Sequence, residues 1–160
     1  MRKSVDIQDK TVIGWREWVR MPALGQAEIK AKIDTGARTS ALHAYFVEPF
    51  ELDGRPWVRF GLHPRQKDTE VQIECEAPVI DQRRVTDSGG HAEMRYVIAT
   101  TMVLGDQAFE AEVTLTDREN MLFRMLLGRG ALKPRFLVDS DQSFLLGGSK
   151  FQPPGELNLS

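Results

Sequence analysis

The sequence predicts an all-β fold, because apolar and polar residues alternate along several segments and no long helical pattern appears. Segments 27–34, 71–76 and 109–115 place an apolar residue at every second position, which is typical of strands with one buried and one solvated face. Turn signals separate such segments: Leu52-Asp53-Gly54-Arg55, Asp87-Ser88-Gly89-Gly90, Leu104-Gly105-Asp106 and Gly147-Gly148. Short strands with frequent turns predict a closed barrel or a sandwich.

The predicted strands, in chain order, are 11–21, 27–34, 56–62, 71–76, 94–104, 109–115, 136–138 and 143–146. One helical turn is expected for residues 129–133, because Pro134 disfavours helical backbone in the residue before it. A chain of 160 residues fits one core, so residues 1–150 are expected to form a single domain. Residues 151–160, which include Pro153-Pro154-Gly155, predict an extended C-terminal tail.

The overall composition is ordinary for a globular protein, with 41% hydrophobic and 28% charged residues. A net charge of −2 gives no reason to expect direct nucleic-acid or membrane binding. No apolar stretch approaches the roughly 20 residues of a membrane span, and none follows the basic start as in a signal peptide. The single cysteine, Cys75, excludes an internal disulfide, so a cytoplasmic location is expected.

The triplet Asp34-Thr35-Gly36 stands at the end of an alternating segment. Asp34 continues the polar phase of the strand at the point where the strand ends. Gly36 permits a sharp turn, and Thr35 offers a hydroxyl to a neighbouring loop. The same residue types also make an ordinary turn, so the triplet alone leaves both interpretations open.

A second motif later in the chain makes this triplet part of a family resemblance. Residues 31–37, Ala-Lys-Ile-Asp-Thr-Gly-Ala, resemble the active-site strand of retropepsins, and Met125-Leu126-Leu127-Gly128-Arg129 resembles their second signature, an apolar pair followed by Gly-Arg. Segment 34–44 is similar to that of bacterial retropepsin-like peptidases often called ATP-dependent zinc proteases. The resemblance covers roughly residues 11–147 and implies a closed retropepsin-like β-barrel with one short helix after the Gly-Arg signature.

The resemblance implies an aspartic peptidase, a hydrolase in which two carboxylates share one proton and activate a water molecule. The implied catalytic residues are Asp34, Thr35 and Gly36. Because this motif occurs once after an apolar strand, the resemblance implies a homodimer in which each subunit contributes one Asp34. No cofactor is expected.

Two features leave alternatives open. Asp87-Ser88-Gly89 also fits the acid motif and could supply a second carboxylate within one chain, although a hairpin tip is the simpler interpretation. The resemblance implies that such a tip serves as a flap over the cleft. Arg38 occupies the position at which retropepsins carry an acid that pairs with the arginine of the Gly-Arg signature. Arg129 would then need another partner, for which the candidates are Asp117, Asp139 and Asp141.

Arginines are concentrated around the motifs, at positions 38, 83, 84, 95, 118 and 129. Guanidinium groups bind carboxylates through paired hydrogen bonds, which favours an acidic substrate. The resemblance points the same way, because relatives are often encoded beside a ligase that adds glutamates to a ribosomal protein. We therefore expect an acidic or glutamate-tailed protein substrate, with the substrate-binding residues Ala37, Arg38, His43, Arg83, Arg84, Ser88, Gly89, Gly90, His91, Arg95 and Arg129.

The candidate zinc ligands, His43, His63, His91 and Cys75, have no regular spacing, so no metal site is predicted. Cys75 falls on the apolar phase of its strand, which favours a buried thiol, and His43 is expected to line the cleft and form hydrogen bonds. Two other functions remain open: a non-catalytic binding module for acidic tails, and a zinc-dependent hydrolase.

Overall fold

The computed structural model describes residues 10–66, 68–87, 89–118 and 121–148 and contains, within them, twelve strands and one helix. The strands are β1 (Thr11–Ile13), β2 (Arg16–Met21), β3 (Ala27–Ile33), β4 (Ser40–His43), β5 (Phe46–Leu52), β6 (Arg55–Leu62), β7 (Ile73–Pro78), β8 (Asp81–Thr86), β9 (Ala92–Leu104), β10 (Gln107–Thr116), β11 (Met125–Leu127) and β12 (Phe136–Val138). Helix α1 spans Arg129–Leu132. The predictions for Ser88 and for the tail 151–160 lie outside the described residues.

Six strands form a closed barrel in the order β10, β4, β11, β3, β2 and β9, and β9 closes the ring by pairing with β10. The alternation in β3 accounts for its place in the wall, because Ala27, Ile29, Ala31 and Ile33 all point into the core. Strand β8 extends the sheet beyond β9. The predicted all-β, closed retropepsin-like barrel with one short helix after the Gly-Arg signature is confirmed.

Two smaller sheets accompany the barrel. Strands β5, β6 and β7 form an antiparallel sheet whose inner face, with Val58, Phe60 and Cys75, packs into the core. Strands β1 and β12 pair in parallel, with Thr11 opposite Phe136. Within the described residues, no helix is long and apolar enough to cross a membrane.

The strand predicted for residues 11–21 is interrupted at Gly14 and Trp15. The cause is the buried carboxylate of Glu17, which accepts a hydrogen bond from the backbone N–H of Gly14 at 2.7 Å. The N–H of Trp15 donates to the carbonyl of Gln142 at 2.8 Å. These contacts take backbone donors out of the sheet, so the chain turns between β1 and β2.

The strand predicted for residues 143–146 is wrong. Phe144 has φ +54°, which an extended strand does not allow. The N–H groups of Leu145 and Leu146 donate instead to the carboxylate of Glu17, at 2.9 and 3.2 Å. A buried acid on β2 therefore holds this segment against the barrel, in place of a partner strand.

Three observed strands have no strong alternating pattern in the sequence. Strand β4 is buried at all four positions, so no polar phase marks it. Strand β5 contains Pro49, which is tolerated because β5 is an edge strand of its sheet. Strand β8 is polar and mostly exposed, and it is specified by its pairing with β9.

Candidate active site

The two signature segments lie side by side in the barrel wall. Strand β3 pairs in parallel with β11, with Ile33 opposite Leu127. The backbone N–H of Asp34 continues this ladder and donates to the carbonyl of Leu127 at 2.8 Å. Because the two strands are parallel and their last residues, Ile33 and Leu127, lie opposite each other, both strands end at the same edge of the barrel.

Asp34 lies at the end of β3 in a turn that orients its carboxylate. The N–H of Gly36 donates to Asp34 Oδ1 at 3.0 Å, and the N–H of Ala37 donates to the Asp34 carbonyl at 3.2 Å. Within the described part of the chain, Asp34 Oδ2 has no hydrogen-bond partner. Asp34 is half-buried, whereas Thr35 and Gly36 are exposed. One carboxylate oxygen is therefore fixed by the backbone, and the other is open to a ligand.

Helix α1 supports this turn through backbone contacts. The N–H of Arg129 donates to the carbonyl of Ala37 at 2.8 Å, and that of Gly130 donates to the carbonyl of Arg38 at 3.0 Å. The N–H of Gly128 donates to the buried hydroxyl of Ser40 at 3.1 Å. Ser40 belongs to this support, a role that the resemblance of segment 34–44 did not assign to it.

The partner of the Arg129 side chain is a backbone carbonyl. Arg129 Nη1 donates to the carbonyl oxygen of Thr35 at 3.0 Å. Among the described residues, none of the three proposed carboxylates, Asp117, Asp139 and Asp141, pairs with it. The Arg129 side chain therefore still connects α1 to the turn of residues 34–37, called the acid turn below. It does so through a peptide carbonyl, at a place where the resemblance implies a carboxylate.

The Asp87 turn forms the tip of the hairpin made by β8 and β9. Asp87 Oδ1 accepts the N–H groups of Gly89 and His91, both at 2.9 Å, and Oδ2 lies 3.3 Å from Arg118 Nη1. The hydrogen bond from the His91 N–H, helped by that from Gly89 and by the Arg118 charge, holds the Asp87 pKa below its ordinary value. This carboxylate thus organises the hairpin tip.

A second ionic contact lies within β9 and is joined by hydrogen bonds to β10. Arg95 is 8% exposed, and its Nε lies 2.5 Å from Glu93 Oε1. Burial raises the Glu93 pKa, but the Thr116 hydroxyl and the Arg95 guanidinium outweigh it, so the pKa lies below its ordinary value. Arg95 Nη1 also donates to the hydroxyl of Thr114 on β10, at 3.5 Å. Arg95, predicted to bind substrate, lies in the interior and connects two strands.

Of the remaining residues predicted to bind substrate, Arg83 is paired with carboxylates and most of the others are exposed. Arg83 is bound between Asp81 and Glu112, both at 2.8 Å, whereas Arg84 is exposed on the other face of β8. Gly89, Gly90 and His91 are exposed at the hairpin tip. Ala37 ends the acid turn and Arg38 follows it, and the Arg38 side chain is exposed.

His43 does not line an open cleft, contrary to the expectation from the sequence. It is 1% exposed, and its Nδ1 accepts the backbone N–H of Arg118 at 3.1 Å. It is buried because it ends β4, which has no solvated face. His43 therefore orders the segment after β10.

Of the other candidate metal ligands, His63 lies near His43, with ring centroids 6.0 Å apart. His63 is buried and stacks on Tyr45 with ring centroids 4.2 Å apart, and burial raises the pKa of the Cys75 thiol to about 11. Over the residues that the structure describes, no group of three or more His, Cys, Asp or Glu side chains is arranged to hold a metal ion.

Comparison with known proteins agrees with the geometry of the two signatures. A family model described as RimB-like, retropepsin-like aspartic endopeptidase RimB, matches residues 12–147. Proteins of Shewanella pealeana and Shewanella halifaxensis, each named probable alpha-L-glutamate ligase, are 49% and 50% identical to the chain over 139 residues. These matches cover 87% of this chain and 30% of each relative, so the chain spans less than a third of their length.

A similar fold is found in a solved structure from Legionella pneumophila. The crystal structure of Lpg0085, a protein of unknown function, superposes with a TM-score of 0.71 and 25% sequence identity. The match covers 85% of this chain and 98% of that one.

Proposed function

The chain belongs to the RimB-like family of retropepsin-like aspartic endopeptidases, and from this premise we propose that it hydrolyses peptide bonds with Asp34 as its catalytic acid. One observation supports this most strongly: Asp34 ends a barrel strand with Oδ1 held by the Gly36 N–H and Oδ2 open. A catalytic carboxylate needs this combination, because it must be fixed in direction and still reach a water molecule.

The proposed reaction uses two Asp34 carboxyl groups that share one proton. Two carboxyl groups in contact resist ionising together, because their negative charges repel each other. One group therefore stays protonated as the acid, and the other is the base. The base takes a proton from water, whose oxygen attacks the peptide carbonyl carbon while the acid protonates the carbonyl oxygen. Collapse of the tetrahedral intermediate breaks the C–N bond as the nitrogen accepts a proton, which gives a carboxylic acid and an amine.

The second carboxyl group comes, in this proposal, from a second copy of the chain. Asp87, the acid of the other candidate motif, supports this source because both of its oxygens already have partners. Oδ1 accepts the N–H groups of Gly89 and His91, and Oδ2 lies beside Arg118, so Asp87 is a poor candidate for the second catalytic acid. Arg129, which donates to the Thr35 carbonyl, would keep the turn that carries Asp34 in a fixed position when two copies meet.

The proposed substrate is an acidic protein, such as a ribosomal protein carrying added glutamates. Two curated relatives are named probable alpha-L-glutamate ligase, and this chain matches only a part of each of them. A hydrolase that acts on glutamate tails would operate on the product of such a ligase. Exposed Arg38, next to the acid turn, has the charge that such a tail would need.

The test uses a glutamate-tailed peptide, a glutamine-tailed control peptide and mass spectrometry of the products. We expect cleavage of the acidic peptide by the wild type, none by Asp34→Asn, and wild-type rates for Asp53→Asn, an equivalent change in the exposed β5–β6 turn. Full activity of Asp34→Asn would refute the assignment.

Mixing the wild type with Asp34→Asn tests the dimer. If each active centre needs Asp34 from both subunits, an exchanged equal mixture keeps about one quarter of the activity of pure wild type, at equal total protein. If the mixture instead keeps half of the wild-type activity, each chain works alone. Loss of activity in Asp87→Asn would then favour Asp87 as the second acid.

A binding module for acidic tails is the second candidate, and the position of Arg38 favours it. The guanidinium of Arg38 has no ion-pair partner within the described residues, so it is available to an acidic ligand whether or not hydrolysis follows. This function predicts equal binding of the tail by the wild type and Asp34→Asn, with no cleavage by either.

A further inference from the structure

We propose that the cleft between Arg38 and Lys133 is a subsite for a substrate carboxylate, and that Glu110 sets its affinity. The proposal rests on the proposed function and specifies how an acidic substrate is read. It assigns a role to two residues, Lys133 and Glu110, that no motif in the sequence marks.

The cleft lies beside the acid turn and has a volume of about 850 Å³. Its floor is the contact of α1 with the turn, where the Gly130 N–H meets the Arg38 carbonyl at 3.0 Å. Clefts of roughly 300–1,000 Å³ are typical of ligand sites, so the space accommodates more than one substrate side chain. Its lining includes Arg38 and Thr39, which directly follow the turn that carries Asp34.

The cleft is cationic although the chain as a whole carries a net charge of −2. Four cationic side chains and two carboxylates line it: Arg38, Arg83, Arg129 and Lys133, with Glu110 and Glu112. An excess of positive charge in a concave surface concentrates anionic ligands there.

Existing contacts decide which of these cations are available to a ligand. Arg83 is paired with the carboxylates of Asp81 and Glu112, at 2.8 Å each. Arg129 donates one N–H to the neutral Thr35 carbonyl and so still adds its positive charge to the cleft. Arg38 and Lys133 are exposed, and within the described residues their charged groups have no hydrogen-bond or ion-pair partner. A substrate carboxylate would therefore be bound between these two.

Glu110 opposes binding from the facing wall of the cleft. It is exposed on β10 and, within the described part of the chain, its carboxylate has no partner. A second negative charge in the same cleft is repelled by it. The subsite therefore selects the position of a carboxylate near α1, and removal of the Glu110 charge strengthens the binding of an acidic ligand.

The experiment measures binding in the Asp34→Asn background, so that cleavage does not interfere. The probe is a fluorescent glutamate-tailed peptide, followed by anisotropy at low ionic strength, with a glutamine-tailed peptide as the neutral control. Arg55→Gln is the matched protein control, because Arg55 is exposed, has no partner within the described residues and lies on β6, away from the cleft.

We expect Arg38→Gln and Lys133→Gln each to raise the Kd for the acidic peptide by about threefold to tenfold, and Glu110→Gln to lower it by about twofold. Arg55→Gln should change it by less than about twofold at moderate salt. A tighter complex with Glu110→Gln cannot arise from misfolding, so this arm keeps the test decisive if a loss variant is unstable.

Equal Kd values for Arg38→Gln and Arg55→Gln, or no gain with Glu110→Gln, would overturn the subsite. The outcome is separate from that of the proposed function. Binding that depends on Arg38 without any cleavage by the wild type would retain the subsite and reject the peptidase, whereas cleavage that ignores Arg38 and Lys133 would do the opposite.

Discussion

Gly128→Ala tests the contact between the acid turn and α1. A Cβ atom at this position would lie 2.8 Å from the Ala37 carbonyl oxygen, and 2.8 and 2.9 Å from the carbonyl carbon and oxygen of Thr39. All three atoms belong to the backbone, so they cannot move aside as a flexible side chain would. Gly128 has φ −92° and ψ 179°, which alanine adopts without strain, so the expected effect is steric.

The magnitude follows from the clash and the contacts it breaks. Overpacking a well-packed site costs about 1–3 kcal/mol. Separating the turn from α1 also weakens the hydrogen bonds that Arg129 and Gly130 donate to Ala37 and Arg38, each worth about 1 kcal/mol. We therefore expect a loss of about 3 kcal/mol in the free energy of unfolding, a large share of the roughly 5–15 kcal/mol typical of a domain.

Urea denaturation measures this loss against two glycine controls. Apart from its chain neighbours, no atom of the described residues lies within 4 Å of a Cβ atom added at Gly148, and Gly148 has no positive φ, so Gly148→Ala should stay within about 0.5 kcal/mol of the wild type. Gly130→Ala meets only the Arg38 carbonyl oxygen at 3.3 Å and gains about 1 kcal/mol of helix propensity, so its net change should be small. A loss below about 1 kcal/mol for Gly128→Ala would refute the reasoning.

Three further predictions concern other groups. His63→Phe should keep the stacking on Tyr45 and raise the free energy of unfolding by about 1 kcal/mol, because both ring nitrogens of His63 are buried without a partner among the described residues; thermal denaturation showing a loss would contradict this. The His91 amide resonance should titrate with Asp87 at a midpoint below the ordinary pKa of an aspartate, and the matching stability, present above that ordinary pKa, should be lost as the pH falls through the lowered native pKa; a midpoint at or above the ordinary pKa would contradict it. Iodoacetamide at pH 8 should alkylate Cys75 much faster in urea than in the native protein, whose thiol pKa is raised to about 11; equal rates would contradict it.

The parts of the fold that alternate in sequence were the predictable ones. Strands β3 and β10 expose one face and bury the other, so their period-two pattern is visible in the residues. Strand β4 has no exposed face and β8 almost no buried one, and both depend on their neighbours in the sheet. Such strands are specified by tertiary pairing, which a local pattern does not contain.

A single buried acid explains why the predictions for segments 11–21 and 143–146 differed from the structure. Glu17 is fully buried on β2, and its two oxygens accept N–H groups from Gly14, Leu145 and Leu146. In the sequence it appears as a polar residue in a strand, with no sign of partners about 128 positions away. Long-range polar contacts of this kind are invisible until the chain is folded.

The arginines show the same limit at the candidate site. Sequence proximity to the motifs grouped Arg38, Arg83, Arg95 and Arg129, yet three of them already have acceptors in the folded chain. Arg83 and Arg95 are paired with carboxylates and would have to exchange those partners to bind a substrate, so they have little to offer it. Arg38 differs because Arg129 is bound by the Thr35 carbonyl and needs no acid at position 38. A side chain of the opposite charge can therefore occupy the position that the resemblance gives to an acid, and the brace of the acid turn is preserved while the adjoining cleft becomes positive.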